Sequence, residues 1–447
     1  MRGVASLGLA ALLGGACAAS CADASIVRVP AAPAVAPAVP PLLPADRDDA
    51  DALPISTPEA EGMDSRPLLA LADAVRDQDF PALSILVSRH GKLVYALYTS
   101  GLRGDEAHYV MSVTKTFVSA LVGIAIGERL LPPVDTSIAD VFPAALFPSD
   151  AARAALRPIT IEDVLGMSAL DAPDPPRVHT PEAMARLAAF KTSASRVRFA
   201  LTQAPLPRPG TDFQYNDTSP MLATGMVHLA THDTAFDFAR KRLFEPMGFR
   251  NYEWMHQDPA SVDNGGYGLR VRPVDMQKLG LLYLRHGEWK GRQLVPRDWV
   301  ERSFTPWNRP RGTGEPSYGS YWWTLRFGPA WTAYSAVGWK GQRITVFPEQ
   351  DLVVTMTALI EDADETAAFA GLVRRFVVPS VVDGAGGDGP RAEDPALRSL
   401  LAARLEELRR GPSRILASTE PRMVPTVARK EVHRSYVPLD TPPARAP

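Results

Sequence analysis

The chain has 447 residues, of which 46% are hydrophobic and 22% are charged, and this composition supports one large buried core or two of medium size. The formal net charge is -2, so the sequence lacks the strongly basic surface that nucleic-acid binding requires. We therefore expect small molecules or peptides as partners, and no nucleic acid.

The first 24 residues have the layout of a secretory signal peptide, with one early arginine, a short apolar run and then small residues. The apolar run is too short to span a membrane. We prefer export with cleavage after Ala24, which predicts a periplasmic or secreted protein. The alternative is a lipoprotein signal, which would anchor the protein to a membrane through a lipid on Cys17 or Cys21. Both cysteines lie in this segment, so a chain cut after Ala24 has no disulfide and no thiolate nucleophile.

Proline-rich segments lie at both ends of the remaining chain. Residues 25–54 are rich in proline and alanine, which favours extended conformations, and we interpret them as a linker. Residues 384–447 form a C-terminal extension rich in proline and arginine. We expect this extension to be solvated, with one surface helix in DPALRSLLAARLEELRR. Residues 55–383 between these segments are predicted to form a single folded domain.

Strand and helix patterns in this domain predict an α/β (α+β) fold. Two β-rich runs flank His90-Gly91-Lys92 within residues 82–101, which indicates a hairpin, and further β-rich runs occur in residues 332–358. We expect strands from both ends of the domain to share one antiparallel sheet flanked by helices, with a mainly helical region inserted between them.

The segment HYVMSVTKTFVSALVGIAIGERLL, residues 108–131, has Ser112 and Lys115 three positions apart where a long apolar helix begins. A serine at a helix start often acts only as an N-cap, and the motif alone leaves that interpretation open. A lysine in the first turn opposes the helix dipole and is costly to bury without a partner. Residues three apart on a helix are neighbours, and a desolvated lysine with a lowered pKa can accept the serine proton. The alternative to the N-cap is therefore a Ser-Lys nucleophile.

A second candidate element is RPGTDFQYNDTSPMLATG, residues 208–225. A turn and a short extended piece precede a polar cap at Asn216-Asp217-Thr218-Ser219, after which a helix is predicted. A tyrosine at such a junction can present its phenol to a pocket, and a neighbouring lysine would lower its pKa toward that of a working base. Tyr215 is thus either a catalytic acid/base group or a half-buried packing residue, and the segment alone favours packing.

The third element is AVGWKGQRITVF, residues 336–347, in which a glycine-bounded turn leads into a strand. Backbone groups beside a sheet edge can donate an amide to an oxyanion and pair with an extended substrate. Taken alone, this pattern is more typical of a plain hairpin.

In this order and at these distances, the three elements resemble those of the serine hydrolases of the β-lactamase and penicillin-binding-protein superfamily. The best-matching blocks are MSVTKTF, ITIEDVLGMSAL, FQYNDTSPMLATG, NGGYGLRVRPVDMQKLGLLYLRHGEWKGRQLVPRDWV and GWKGQRITVFPEQDLVVTMT. The resemblance extends over residues 55–382 and is closest to the class C-like branch that includes 6-aminohexanoate-dimer hydrolase and related esterases. It implies a β-lactamase/transpeptidase-like fold.

The resemblance also implies the roles of individual site residues. Ser112 would be the acylated nucleophile, Lys115 its base and charge partner, and Tyr215 the general acid/base. The backbone amides of Ser112 and Gln342 would form the oxyanion hole, because Gln342 follows the third motif directly.

Two departures from the family pattern bear on the substrate. Where β-lactamases and D-alanyl-D-alanine peptidases have Tyr-x-Asn, this chain has Asp217 at the third position, which weakens the match to enzymes that bind a β-lactam side-chain amide. Where they often have Lys-Thr-Gly or His-Thr-Gly, this chain has Trp-Lys-Gly, which is closer to the esterase and amide-hydrolase branch. The substrate-binding residues implied at these two motifs are Asp217, Trp339, Lys340 and Gly341.

The resemblance therefore implies a hydrolase that cleaves an amide or ester bond of a small molecule through an acyl-enzyme, without a cofactor or metal, and the predicted signal peptide adds that this hydrolase is exported. One alternative is a D-alanyl-D-alanine peptidase or weak β-lactamase that acts on cell-wall or β-lactam substrates, including peptidoglycan-derived molecules. Another is a non-catalytic protein that binds peptides or cell-wall fragments. A zinc site is not predicted, because no glutamate lies between His228 and His232.

Overall fold

The structure is a computed structural model that describes residues 53–77, 81–99, 106–172, 180–255, 262–306, 317–360, 365–382 and 391–411. These residues all belong to one unit, Pro40–Pro447. The predicted signal peptide, both cysteines and residues 25–52 of the predicted linker lie outside the described residues. No helix in the described part of the chain is long and apolar enough to cross a membrane.

Helices and strands alternate along the described chain, with short 3₁₀ turns such as Trp339–Gly341 between some of them. In chain order they are α1 (Ser65–Asp77), β1 (Ala82–Arg89), β2 (Lys92–Tyr98), β3 (His108–Tyr109), α2 (Val113–Gly127), α3 (Ile138–Val141), α4 (Asp150–Ala155), α5 (Ile161–Leu165), α6 (Pro181–Thr192), α7 (Arg196–Ala200), α8 (Thr218–Thr231), α9 (Ala235–Ala239), β4 (Glu253–Trp254), β5 (Leu269–Val271), α10 (Pro273–Leu284), β6 (Glu288–Trp289), β7 (Arg292–Gln293), α11 (Arg297–Phe304), β8 (Ser317–Tyr318), β9 (Trp323–Gly328), β10 (Trp331–Gly338), β11 (Gln342–Phe347), β12 (Leu352–Ala358), α12 (Glu365–Leu372) and α13 (Pro395–Arg410).

The main sheet joins strands from both ends of the domain. Its order within the described residues is β2-β1-β12-β11-β10-β9-β8, and every neighbouring pair is antiparallel. The β1–β2 turn contains His90 at φ 50° and Gly91 at φ 74°, and left-handed residues of this kind match the twist of a tight hairpin. The predicted hairpin and the predicted antiparallel sheet from both chain ends are thus confirmed.

Helices cover both faces of this sheet. On one face, α10 packs so closely that a Cβ added at Gly280 would lie 2.5 Å from Val353 and 2.9 Å from Ile344. Strand alternation puts Phe347 on the opposite face, where it contacts Phe327, and Phe327 contacts Phe369 of α12. Between β2 and β8, the chain forms a mainly helical region that includes α2 and α8. The α/β (α+β) fold class with an inserted helical region is therefore confirmed.

The helix predicted in the C-terminal extension is α13, and it packs against α1 and β2. Leu401 is fully buried and Leu405 is nearly so, and Arg404 forms an ion pair with Asp73 of α1. α13 is thus a surface helix, as predicted, and only its apolar side is covered by the domain. The folded body thus continues beyond residue 383, the boundary that the sequence suggested.

Candidate active site

Ser112 lies at the residue before α2, in a turn held by a strained backbone. Met111, which precedes it, has φ 50°, a left-handed conformation that non-glycine residues rarely adopt. Ser112 occupies the N-cap position, but its side chain accepts no capping hydrogen bond from the helix. The N-cap interpretation of Ser112 is therefore wrong, and its half-buried hydroxyl has other contacts.

Lys115 points from the first turn of α2 into a closed set of oxygen atoms. Its Nζ lies 3.0 Å from Ser112 Oγ, 2.7 Å from Asp217 Oδ1 and 2.8 Å from the carbonyl oxygen of Gly266. The side chain is only 1% exposed. An ammonium has three protons to donate, and these three acceptors match them. The geometry is thus that of a charged lysine whose donors are all used.

The electrostatics agree with this geometry. Burial alone would lower the pKa of Lys115, but the Asp217 carboxylate and the Tyr215 phenol outweigh burial, so the pKa is raised above its ordinary value of 10.5. The expectation of a desolvated lysine with a lowered pKa is therefore wrong for the resting site. A lysine that holds its proton cannot take another from Ser112 in this resting arrangement, which favours the charge-partner role, and the predicted role of Lys115 as base stays a prediction.

Asn216 and Asp217, which the sequence analysis assigned together to a helix cap, have different roles: Asn216 caps α8 and Asp217 pairs with Lys115. The Asn216 side chain accepts hydrogen bonds from the backbone amides of Thr218 and Ser219 at 3.0 and 2.7 Å, which caps α8. Asp217 is then free to turn its carboxylate to Lys115 as a counterion. Its predicted contact with substrate stays a prediction, since what the structure describes is this ion pair.

Gly266 belongs to this site although no motif had identified it singly. Its carbonyl oxygen accepts from Lys115, and a Cβ added to it would lie 2.9 Å from Asp217 Oδ1. A larger residue would therefore disturb the Lys115–Asp217 pair. The only sequence signal for it was its place in the matched block that begins NGGYG.

Tyr215 completes the group around the serine. Its phenol lies close enough to Ser112 and Lys115 for both side chains to favour its ionised form, and the Lys115 Nζ lies 4.8 Å from the centre of its ring. Burial raises the pKa of Tyr215 above 10.0, and the positive charge of Lys115 offsets only part of that effect. The phenol is therefore protonated near neutral pH, and the expectation of a lowered pKa is wrong.

The third motif reaches the serine through Gly338, at the end of β10. A Cβ added at Gly338 would lie 2.4 Å from the carbonyl oxygen of Val110 and 3.3 Å from the Cβ of Met111, so only glycine allows this approach. Gln342 pairs with Gly338 across the β10–β11 ladder, and its side chain donates to the carbonyl oxygen of Ala358 at 2.6 Å. The predicted oxyanion role of the Gln342 amide stays a prediction.

Residues Trp339–Gly341 form the turn between these strands. Trp339 is 57% exposed, and Lys340 Nζ lies 5.0 Å from the centre of its ring. Lys340 is nearly buried, with φ 63°, and Gly341 packs on Ile360 and Ala358. Trp339 is thus the exposed member of the motif, and the predicted substrate contacts of all three residues stay predictions.

Two residues that the sequence did not indicate hold this turn. The Glu365 carboxylate accepts from the backbone amides of Lys340 and Gly341 at 2.7 and 3.0 Å. The buried guanidinium of Arg343 donates to the carbonyl oxygens of Gly338 and Gln342, both at 2.9 Å. Glu365 therefore holds the turn through two backbone amides, and Arg343 holds it through two backbone carbonyl oxygens. We call Glu365 and Arg343 the turn clamp.

Metal-ligating groups are not clustered in the described residues, where no three His, Cys, Asp or Glu side chains could hold one ion. His228, one of the two histidines considered for zinc, lies near the end of α8 and has its Nδ1 2.9 Å from the carbonyl oxygen of Asp233.

The family model named Beta-lactamase matches residues 62–375, which is well over half of the chain. The chain belongs to the Beta-lactamase family. This range contains all the residues brought together at Ser112, from α2 to the turn clamp. No curated protein is significantly similar to the chain.

Solved structures of other proteins share the fold of this Beta-lactamase family member at low sequence identity. A protein described as a 6-aminohexanoate-dimer hydrolase from Bacillus anthracis has a TM-score of 0.58 and 19% identity, over 72% of this chain and 86% of that one. A penicillin-binding protein homologue from Pyrococcus abyssi, described as octameric, has a TM-score of 0.55 and 15% identity, over 70% and 77%. A family VIII carboxylesterase has a TM-score of 0.56 and 14% identity, over 73% and 98%.

These similarities confirm the predicted superfamily, the β-lactamase and penicillin-binding-protein group of serine hydrolases. The structural matches themselves establish the fold alone, because each shares less than a fifth of its residues with this chain. Which bond this chain cleaves has to come from its own site.

Proposed function

We propose that the chain is an exported serine hydrolase that cleaves an ester or amide bond through an acyl-enzyme on Ser112. The observation that carries this proposal is the 3.0 Å contact between Lys115 Nζ and Ser112 Oγ, with Lys115 held as an ammonium by Asp217. A cation at this distance stabilises the negative charge that grows on the serine oxygen during attack. The esterase in the same fold supports an ester or amide substrate.

In the acylation step, Ser112 Oγ bonds to the substrate carbonyl carbon and gives up its proton. Tyr215 is the acceptor that remains, because Lys115 has no free lone pair. Since the phenol already carries a proton, it passes that proton to the leaving oxygen or nitrogen as it takes the one from Ser112. The leaving group departs as a neutral alcohol or amine, and the phenol is again protonated.

Deacylation uses the same groups in reverse. A water molecule attacks the acyl carbon, its proton passes to Tyr215, and the phenol returns its own proton to Ser112 Oγ as the acyl bond breaks. Lys115 keeps its charge throughout, held by Asp217 and Gly266. The free acid and the resting enzyme result.

The substrate carbonyl oxygen needs hydrogen-bond donors as it becomes an oxyanion. We infer that the amide of Ser112, at the positive end of α2, supplies one of them. The second belongs to the β10–β11 turn, which Gly338 brings against the residues before Ser112. We assign it to the backbone of this turn, with Gln342 as the sequence-based candidate.

Export is the part of the proposal that depends on the N-terminal sequence alone. A signal peptide cut after Ala24 gives a soluble periplasmic or secreted enzyme, whereas a lipid on Cys17 or Cys21 gives an anchored one. Mass spectrometry of the N-terminal peptide from the mature protein distinguishes the two, and an intact Met1 terminus would contradict both.

Labelling with a fluorophosphonate tests the catalytic proposal. The reagent should add covalently to the peptide that contains Ser112, and the Ser112→Ala variant should remain unlabelled under the same conditions. Absence of an adduct on Ser112 in folded protein would overturn the proposal and favour a non-catalytic binding protein. A stable penicillin adduct on Ser112, with little ester turnover, would instead favour the D-alanyl-D-alanine peptidase or weak β-lactamase alternative.

A further inference from the structure

The end of β10 forms an uncovered edge beside the serine. On one side, β10 is paired with β9. The paired residues run from Trp331 opposite Gly328 to Ser335 opposite Trp323, so the pairing ends at Ser335. Within the described residues, no strand covers residues 336–338 on that side. Because Gly338 touches the turn that precedes Ser112, this edge leads directly to the nucleophile. A substrate lying along the edge would meet Trp323 where β9 begins.

Trp323 belongs to a group of four aromatic rings that includes Tyr215, the proposed proton relay. We call this group the aromatic wall: Phe213, Tyr215, Tyr318 and Trp323. The ring centre of Trp323 lies 6.0 Å from that of Tyr215 at an interplanar angle of 30°, and 4.6 and 5.9 Å from those of Tyr318 and Phe213. Phe213 also contacts Tyr318 at 5.3 Å. The rings therefore support one another and fix the orientation of Trp323.

The aromatic wall is only partly used for packing. Tyr318 is buried, but Phe213, Tyr215 and Trp323 keep part of their surface exposed. Partly exposed rings of this size are common in folded proteins, so it is their position that bears on the substrate. Trp323 packs on the ring of Tyr215, the predicted acid/base group, and on Phe213, so a substrate bound at Ser112 would lie next to this group of rings.

The charges nearest the aromatic wall are already paired. Lys115 donates to Ser112, Asp217 and Gly266, and Asp217 is the counterion of Lys115. An anionic substrate group placed against these rings would lose its hydration without gaining a partner there, because the faces of aromatic rings carry partial negative charge. A flat, uncharged ring would instead gain aromatic contacts of the kind the wall already makes within itself.

We propose that the aromatic wall binds a flat, uncharged ring of the ester or amide substrate, with Trp323 as the residue that determines this specificity. The inference rests on the proposed hydrolase function and adds the class of substrate: esters or amides that carry an aromatic ring beside the scissile bond. The ring belongs either to the acyl group or to the leaving alcohol or amine, and both have the same chemistry at the wall.

The test compares esters with and without a ring, by titrating the acid that each releases. Methyl phenylacetate carries the ring on the acyl side, benzyl acetate carries it on the alcohol side, and butyl acetate has none. We expect at least one ring ester to have a kcat/KM about tenfold above that of butyl acetate, a factor typical of a fitted apolar pocket. The ester that shows the gain identifies the side of the bond that faces the wall.

Trp323→Ala should remove most of this preference, measured as the ratio of kcat/KM for the ring ester to kcat/KM for butyl acetate within the same variant, because the ring that contacts the substrate ring is lost. Trp331→Ala is the matched control: Trp331 is a half-buried tryptophan of the same sheet that packs on Phe347, and its loss should leave the preference unchanged. If Trp323→Ala does not fold, Phe213→Leu decides, since it keeps an apolar side chain but removes a ring.

A preference for ring esters that persists in folded Trp323→Ala or Phe213→Leu would overturn the inference, as would equal kcat/KM values for all three esters in the unmodified enzyme. Failure of the proposed function has a different signature: no ester is hydrolysed and no fluorophosphonate adduct forms on Ser112. The two failures are thus separable in one set of measurements.

Discussion

Lys115 and Asp217 form a nearly buried ion pair, with 2.7 Å between Nζ and Oδ1, inside the site that also holds the serine hydroxyl. The pair explains how a lysine in the first turn of an apolar helix can stay charged against both burial and the helix dipole. It also explains the departure from Tyr-x-Asn, because an aspartate supplies a full negative charge where an asparagine would not. The chemistry of the site follows from that charge.

Asp217→Asn should destabilise the protein by about 3 kcal/mol near pH 7, because it leaves the buried ammonium without its counterion. In the unmodified protein the pKa of Lys115 is raised above 10.5, so its contribution to stability is complete below about pH 10.5 and is lost as the pH rises through the folded-state pKa. In the variant, burial lowers the pKa of Lys115, so stability should instead rise with pH toward 10.5.

Urea unfolding at a series of pH values between 7 and 11 measures this difference. The difference in free energy of unfolding between the unmodified protein and Asp217→Asn should become smaller as the pH increases. The matched control is Asp233→Asn, since Asp233 is the partly exposed partner of Lys241 and lies outside the site. A difference that stays constant with pH would mean that Asp217 does not set the charge of Lys115.

Tyr215→Phe should lower kcat by about a hundredfold to ten-thousandfold, because it removes the proton relay between Ser112 and the leaving group. The fold should persist, since phenylalanine keeps the ring contacts with Tyr318 and Trp323. The comparison variant is Tyr252→Phe, a half-buried tyrosine that packs on Phe236 and Phe244. Steady-state ester hydrolysis with circular dichroism of both variants provides the measurement, and an active Tyr215→Phe enzyme would exclude the phenol as the relay.

The sequence indicated Ser112 and Lys115 because they lie three positions apart at a helix start. It indicated Tyr215 because this residue lies in a block that matches the family. It could not indicate the charge of Lys115, which depends on Asp217 and Gly266, 102 and 151 residues away along the chain. A burial argument made from the helix alone gave the wrong direction for its pKa. Electrostatic contributions change sign with the partner, and the partner is known only when the segments are folded together.

The turn clamp, Glu365 and Arg343, could not be predicted from the sequence for a related reason. Glu365 is an ordinary acidic residue at the start of a helix, and only the placement of α12 brings its carboxylate to the amides of Lys340 and Gly341. In contrast, the sheet was predictable, because its strands carry apolar residues at regular spacing and its hairpin has a recognisable turn at His90-Gly91. Patterns that repeat along the chain were predictable, and single long-range contacts were not.

Glu365→Ala should lower kcat about tenfold with a smaller change in KM, because two amides of the turn lose a charged acceptor and the backbone beside Ser112 loosens. Glu349→Ala is the comparison, since Glu349 is exposed in the neighbouring β11–β12 turn and makes no contact with the site. Kinetics on one ester and thermal unfolding of both variants measure the effect. Equal kcat values for the two variants would show that the clamp serves stability alone.

Gly338→Ala tests the close approach of β10 to the serine turn. The added Cβ would lie 2.4 Å from the carbonyl oxygen of Val110, a distance that real contacts do not reach, so the strand end or the turn must move. Gly338 has φ -124°, which alanine adopts without strain, so any effect comes from this overlap and not from the backbone conformation. A shift of about 1 Å between the turn and Ser112 should lower kcat about a hundredfold.

Gly328→Ala provides the matched control, because Gly328 ends β9 of the same sheet and an added Cβ there would meet nothing closer than 3.8 Å. This variant should retain full activity. Fluorophosphonate labelling rates separate the two effects that Gly338→Ala can have: slower labelling of Ser112 with an unchanged melting temperature indicates a displaced oxyanion site. A Gly338→Ala enzyme with the activity of Gly328→Ala would mean that the strand end can move away from Val110 without cost to the reaction, and that the close approach at Gly338 is not needed to place the oxyanion site.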